Sequence, residues 1–179
     1  MKKAICYIVA AFFCISGYAQ KNSEFRIWED SLISLRDDVV NEPDETVRLA
    51  LNEDFMTLLE EVLQMPNSFK HTWDSVQNFA VLASPDNVFK IFTWYVVKAD
   101  QSIENFGFIQ VYNEARKKYV IFPLYDKGAT MDYPKTSIGN HTRWYGAVYY
   151  KLVPLKEKTF TYYPLLGWNG NNLFSNQKV

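Results

Sequence analysis

Apolar residues in the first third of the chain recur every three or four positions, the spacing of one face of an α-helix. Over residues 23–40 this stripe consists of Phe25, Trp28, Leu32, Leu35 and Val39. Over the following segment it consists of Val47, Leu51, Phe55, Leu58, Val62 and Met65. Asn41-Glu42-Pro43 separates the two stripes, and Pro66 ends the second, because proline cannot continue a helix. The pattern predicts a helical hairpin over residues 20–66.

From Trp73 onward the pattern changes to short runs of β-branched and aromatic residues separated by turn clusters, which is typical of β-strands. The predicted strands are residues 76–83, 88–97, 106–113, 119–125, 145–153, 159–166 and a beginning at 173–179. Short connections such as Ser84-Pro85-Asp86-Asn87 favour antiparallel pairing. Because Asn169-Gly170 is a strong hairpin dipeptide, a turn is predicted over residues 167–172. The longest irregular segment, residues 127–143, is the expected place for a functional loop.

Strands 88–97 and 145–153 carry apolar side chains on both faces, so each should either be covered on both sides or show aromatic side chains to solvent on one face. The helical hairpin would cover part of one face, and a second sheet the other. The predicted fold class is therefore α+β and mainly β. A helical hairpin precedes an antiparallel β-meander domain at residues 67–179, either sandwich-like or an open sheet.

The first nineteen residues have the pattern of a secretory signal peptide. Met1-Lys2-Lys3 precedes an apolar run from Ala4 to Ser16, and Gly17-Tyr18-Ala19 supplies a small-x-small cleavage site. A thirteen-residue run spans about 20 Å as a helix, whereas a hydrocarbon core is about 30 Å thick. We therefore expect cleavage after residue 19 and export to the periplasm, the outer membrane or the medium, with no membrane-spanning segment in the mature chain.

Both cysteines, Cys6 and Cys14, lie inside this leader, so the mature chain should hold no disulfide and no thiolate metal site. Lipidation at Cys14 is the alternative processing, but Phe12-Phe13 stand where it requires small residues.

Charge is distributed unevenly along the mature chain. Residues 20–65 hold four basic and twelve acidic side chains, a net charge of −8, and residues 66–179 hold thirteen basic and eight acidic ones, a net charge of +5. The basic residues are scattered singly, which does not indicate a nucleic-acid partner.

Groups that could carry catalysis are few. The two histidines, His71 and His141, lie in no metal-binding or hydrolase motif, although His141 with Asp132 in one loop could bind a metal or transfer protons. Asp86, Asp126 and Asp132 could supply a carboxylate pair, but each occupies a position that turn geometry alone explains. The sequence therefore predicts no catalytic residues, no metal and no cofactor.

Aromatic residues crowd into the predicted strands. They either fill a core or form an exposed face that stacks on sugar rings. For a ligand-binding surface the sequence indicates Tyr145, Trp168, Asn169 and Asn171, because a turn after a strand presents its rings outward.

Six segments together resemble a family of secreted Bacteroidetes proteins that has no assigned activity. Besides the helical hairpin and Trp73-Asp74-Ser75-Val76, they are residues 83–94, 106–110, 144–150 and 162–172. One departure is Asn87, where the family pattern has glycine. The resemblance implies export and the same fold, and it implies C-terminal truncation here, because relatives continue beyond residue 179.

These observations favour a non-enzymatic interaction or structural module of the cell envelope. Its sheet would be completed by strand addition at an exposed edge, either by part of the missing C-terminal region or by a partner such as an envelope protein. The alternative is a glycan-binding protein that uses an aromatic sheet face. A second alternative is a carboxylate-dependent hydrolase.

Overall fold

A computed structural model describes residues 25–133, 136–172 and 175–178, with side chains described as far as residue 170. Helix α1 covers residues 25–41, and α2 covers Glu45–Gln64. The strands are β1 Ala80–Ala83, β2 Phe89–Val97, β3 Ile103–Asn113, β4 Lys118–Tyr125, β5 Val148–Leu152, β6 Leu155–Lys156, β7 Thr161–Tyr162, β8 Leu165–Asn172 and β9 Ser175–Lys178. The predicted signal peptide lies outside the described residues.

Strands β1 to β4 form an antiparallel meander in chain order. Strands β5, β8 and β9 form a second antiparallel sheet, and β6 pairs with β7 in a small hairpin. The predicted α+β, mainly β class with a helical hairpin and an antiparallel meander is confirmed.

One face of the four-stranded sheet packs against the two helices. Alternate side chains of β2 and β3 point toward the helices and are almost fully buried: Phe92, Trp94 and Phe108. Their helical partners are Phe25, Leu32, Phe55, Leu59, Val62 and Leu63. The contact also has one polar link, because the indole of Trp94 donates a hydrogen bond to Asn52 Oδ1 at 2.8 Å.

The opposite face is covered by the segment that leads into the three-stranded sheet. Ile91 and Leu124 on this face form a second apolar cluster with Trp144 and Ala147. A hydrogen bond of 3.1 Å from the amide of Tyr149 to Thr93 Oγ1 joins the two layers. Of the two arrangements predicted for strand 88–97, coverage on both faces is the one found, because β2 has a buried layer on each side.

Several predicted strand boundaries were wrong. Predicted strand 76–83 begins only at Ala80, since turns with left-handed backbone at Trp73 and Asn78 precede it. Predicted strand 145–153 is confined to 148–152, because Gly146 has a φ of 80°. Predicted strand 159–166 is divided, with β7 ending at Tyr162 and β8 starting at Leu165.

The predicted turn over residues 167–172 was also wrong. Strand β8 continues through Asn169-Gly170, with a register irregularity between Gly170 and Asn172, and it pairs with β9 in antiparallel orientation. The Trp168 ring lies over Gly170, where an added Cβ would come within 2.4 Å of it. Packing of that ring thus overrides the local turn preference of Asn-Gly.

Within the described part of the chain, neither helix combines the length and the apolar character needed to cross a membrane.

Candidate functional site

The loop of residues 127–144 is closed at its base by backbone hydrogen bonds to the end of β4. Tyr125 donates to the carbonyl of His141 at 2.8 Å and accepts from the amide of Trp144 at 3.0 Å. Lys127 then donates to the carbonyl of Trp144 at 2.7 Å. The two ends of the loop are therefore paired like neighbouring strands, which fixes where the loop leaves the sheet.

The carboxylate of Asp126 stands at the centre of this base. Its Oδ2 accepts from the backbone amide and the side-chain amide of Asn105, at 3.2 and 2.9 Å, and its Oδ1 accepts from Gly128 at 2.9 Å. Gly146 packs directly on the carboxylate, since a Cβ there would lie 2.2 Å from Oδ2. The sequence placed Asp126 among candidate catalytic carboxylates, and the structure places it as the anchor of the loop.

Between this loop and the sheet lies a cavity of about 340 Å³, here called the loop groove. The aliphatic side chains that line it come from both sheets: Ile91, Ile109, Leu124 and Leu165. The aromatic ones come from the end of the loop and the segment that follows it: Trp144, Tyr145 and Tyr149. A mainly apolar cavity of this size with a few polar groups at its mouth is the usual form of a ligand site.

The aromatic wall of the loop groove is held in place by hydrogen bonds. The indole of Trp144, only 8% exposed, donates to the Tyr149 hydroxyl at 2.9 Å. Burial raises the pKa of that tyrosine, and the bond from Trp144 partly offsets the rise, so the hydroxyl stays protonated at neutral pH. The wall is thus pre-formed.

The mouth of the loop groove carries the polar groups. Asn140 Oδ1 accepts from the amides of Thr142 and Arg143, at 2.9 and 3.1 Å, which shapes a tight turn. His141 Nδ1 contacts the carbonyl of Pro123 at 3.0 Å, and because a carbonyl only accepts, this nitrogen must carry the proton. Arg143 is exposed, and no carboxylate in the described residues forms an ion pair with it.

The predicted ligand-binding residues occupy two places. Tyr145 lines the loop groove. Asn169 donates from Nδ2 to the carbonyls of Tyr145, at 3.3 Å, and Gly146, so it supports the backbone of the groove wall. Trp168 lies on β8 with its ring 5.3 Å from that of Tyr95, and the side chain of Asn171 lies outside the described residues.

The sequence indicated the loop but missed most of its groove. Asn140, Arg143 and Trp144 were not selected as ligand-binding residues, although Trp144 stands beside the selected Tyr145. Its position at the end of the longest irregular segment was the available signal. The aliphatic residues that line the groove could not be recognised from the sequence, since isoleucines in strands are ordinary core residues.

The other candidates for chemistry either have structural partners or are exposed. The Tyr163 hydroxyl donates to Asp86, and this bond lowers the pKa of that exposed carboxyl. His71 Nε2 lies 3.0 Å from Glu29 Oε2, and Asp132 is exposed. Among the residues that the structure describes, no three His, Cys, Asp or Glu side chains are grouped as a metal site.

Comparison with protein-family models, with curated proteins and with solved structures gives no match to this chain. The resemblance to secreted Bacteroidetes proteins therefore stays a prediction.

Proposed function

We propose that this chain is an exported, non-enzymatic interaction module of the bacterial cell envelope. Its loop groove receives an apolar side chain of a partner protein that carries a carboxylate beside it. The observation behind this proposal is the pre-formed apolar cavity between the four-stranded sheet and the loop, with an arginine at its mouth that forms no ion pair with any described carboxylate.

The floor of the groove favours an apolar occupant. Ile91 and Leu124 are 3% and 5% exposed, and Ile109 and Leu165 pack against them. Aliphatic surface of this kind makes no hydrogen bonds to sugar hydroxyls. Binding of an apolar occupant, in contrast, is favoured by about 25 cal/mol for each Å² of apolar surface removed from water. A leucine or phenylalanine side chain is therefore a better fit than a sugar ring.

The mouth favours a negative charge on the same ligand. Arg143 presents a guanidinium whose donors match a carboxylate, and no described carboxylate pairs with it. The β domain also has a net charge of +5 over residues 66–179, which attracts an acidic partner at long range. Export is supported by the leader sequence of residues 1–19.

Binding is tested with N-acetylphenylalanine, which joins an apolar ring to a carboxylate, by isothermal titration calorimetry. With about 0.3 kcal/mol for each of its roughly fifteen non-hydrogen atoms, the Kd should be about 0.5 mM. N-acetylphenylalanine amide should bind about two- to fivefold more weakly, because an exposed charge pair contributes little.

A matched pair of variants tests the location. Leu165→Trp fills the groove and should abolish binding, whereas Leu155→Trp makes the same change at a position that is 53% exposed on β6 and should preserve it. Equal loss in both variants, or none in either, would contradict the proposal.

The glycan alternative is decided by the same titration. Trp144, Tyr145 and Asn140 share the groove and would be the sugar-contacting residues. Binding of neutral oligosaccharides, with no response to N-acetylphenylalanine, would replace the protein partner by a glycan.

A further inference from the structure

Strand β2 is longer than the strand beside it. The last residue of β2 that pairs with β1 is Thr93, so residues 94–97 have no neighbouring strand on that side within the described part of the chain. The helical hairpin supplies two arginines to this open edge. Arg36 donates from Nη2 to the carbonyl of Tyr95 at 2.9 Å, and Arg48 donates to the carbonyl of Val97.

Arg36 is almost completely buried, with 2% of its surface exposed. Besides the bond to Tyr95, it donates from Nε to the carbonyl of Asn78 at 3.1 Å. Its Nη1 is buried and has no hydrogen-bond partner. A guanidinium has five N–H donors, so two bonds leave three of them unused in a region shielded from water.

Arg48 lines the same cavity, and all of its side-chain hydrogen bonds within the described residues go to backbone carbonyls. It donates from Nε to Glu42 at 2.8 Å and from Nη2 to Pro43 at 3.0 Å, which ties down the connection between α1 and α2. No described carboxylate forms an ion pair with Arg36 or Arg48. Two positive charges therefore share one region without a hydrogen-bonded counter-ion.

The two side chains line a cavity of about 220 Å³, here called the arginine pocket. Its other walls are mostly apolar and include Val39, Val40 and Val96. Burial lowers the pKa of Arg36 to about 10, an effect that Tyr95 and Asp37 partly oppose, so the group remains a cation at neutral pH.

We infer that the arginine pocket binds a small oxyanion such as phosphate, sulfate or a carboxylate, held by Nη1 of Arg36 and the remaining donors of Arg48. Capping of the sheet edge alone requires one N–H from each side chain. A buried charge with unused donors is costly, and an oxyanion satisfies donors and charge together. This site is separate from the loop groove and does not depend on the proposed function.

The experiment measures the thermal midpoint against inorganic phosphate, sulfate and acetate, with sodium chloride holding ionic strength constant. A saturable rise with at least one oxyanion is expected, because a ligand that binds the native state stabilises it. A rise with phosphate or sulfate but not with acetate would indicate that the pocket binds a tetrahedral anion, whereas a rise with acetate alone would indicate that it binds a carboxylate.

Variants distinguish a built site from a general salt effect. Arg36→Met should weaken oxyanion binding at least about tenfold, whereas Arg26→Met, the same change at an exposed position of α1, should leave it unchanged. Arg48→Met should weaken it as well, and decides the question if Arg36→Met fails to fold. Equal midpoint shifts in the wild type and Arg48→Met, or no shift with any oxyanion, would overturn the inference.

Discussion

Replacing Asp126 by Asn tests how the loop groove is held open. The two carboxylate oxygens accept three hydrogen bonds, two from Asn105 and one from Gly128. An asparagine has a single side-chain oxygen, so it keeps two of the three bonds at best. Its NH₂ group must then face the N–H donor of Gly128.

The magnitude follows from these bonds. A hydrogen bond to a charged group contributes about 1.5–3 kcal/mol and a neutral one about 0.5–1.5 kcal/mol. Asp126→Asn loses one charged bond and converts the other two to neutral ones. Because Asp126 is only half-buried, we expect the lower part of the range, a loss of about 2–3 kcal/mol.

The assay is urea denaturation together with hydrogen exchange over residues 127–144. Asp126→Asn should lower the free energy of unfolding, remove protection of the loop amides and weaken binding of N-acetylphenylalanine. The control is Asp132→Asn, an exposed position in the same loop, which should stay within about 0.5 kcal/mol of the wild type. If Asp126→Asn behaves like this control, the carboxylate does not anchor the loop.

Three further predictions concern stability. Asn52→Ala leaves the buried indole N–H of Trp94 without its acceptor and should lower the free energy of unfolding in urea by about 2–3 kcal/mol. If Asn52→Ala has the same effect in a protein that already carries Trp94→Phe, the hydrogen bond is not its cause. Tyr163→Phe removes the bond that lowers the pKa of Asp86, so ¹³C NMR titration should find that pKa nearer its ordinary value. A carboxyl whose pKa is lowered in the fold stabilises the fold above the unfolded-state pKa, and this stabilisation is lost as pH falls through the folded-state pKa. The free energies of unfolding of wild type and variant should therefore differ at neutral pH and converge in acid. Identical Asp86 titrations in the two proteins would show that the bond is absent. Gly107→Ala would place a Cβ 2.6 Å from a backbone oxygen of β2 and should lower the free energy of unfolding by more than about 1 kcal/mol. Circular dichroism should show this as a lower thermal midpoint. An unchanged midpoint would mean that the two strands move apart at no cost.

Features that depend on neighbours in sequence were predictable. The apolar stripes of α1 and α2 arise from a local period, and the position of α2 was predicted to within two residues at each end. The coverage of β2 on both faces was one of the two arrangements that its sequence predicted, because its apolar residues do not alternate with polar ones.

Features that depend on long-range packing were not predictable. Asn169-Gly170 has the composition of a turn, yet the Trp168 ring lies over it and the strand continues. The path of the loop is set by Asp126 through a bond to Asn105, twenty-one residues earlier. In the arginine pocket, Arg36 donates to a carbonyl fifty-nine residues away in the sequence, and no sequence motif predicts that contact.

The central claim is that the loop groove binds a ligand, and methyl NMR of the isoleucines tests it most directly. Addition of N-acetylphenylalanine should shift the methyl signals of Ile91 and Ile109, which line the groove. The signals of Ile33 and Ile121, which pack in the core on the helix side of the sheet, should stay in place. Shifts at Ile33 and Ile121 without shifts at Ile91 and Ile109, or no shifts at all, would contradict the account.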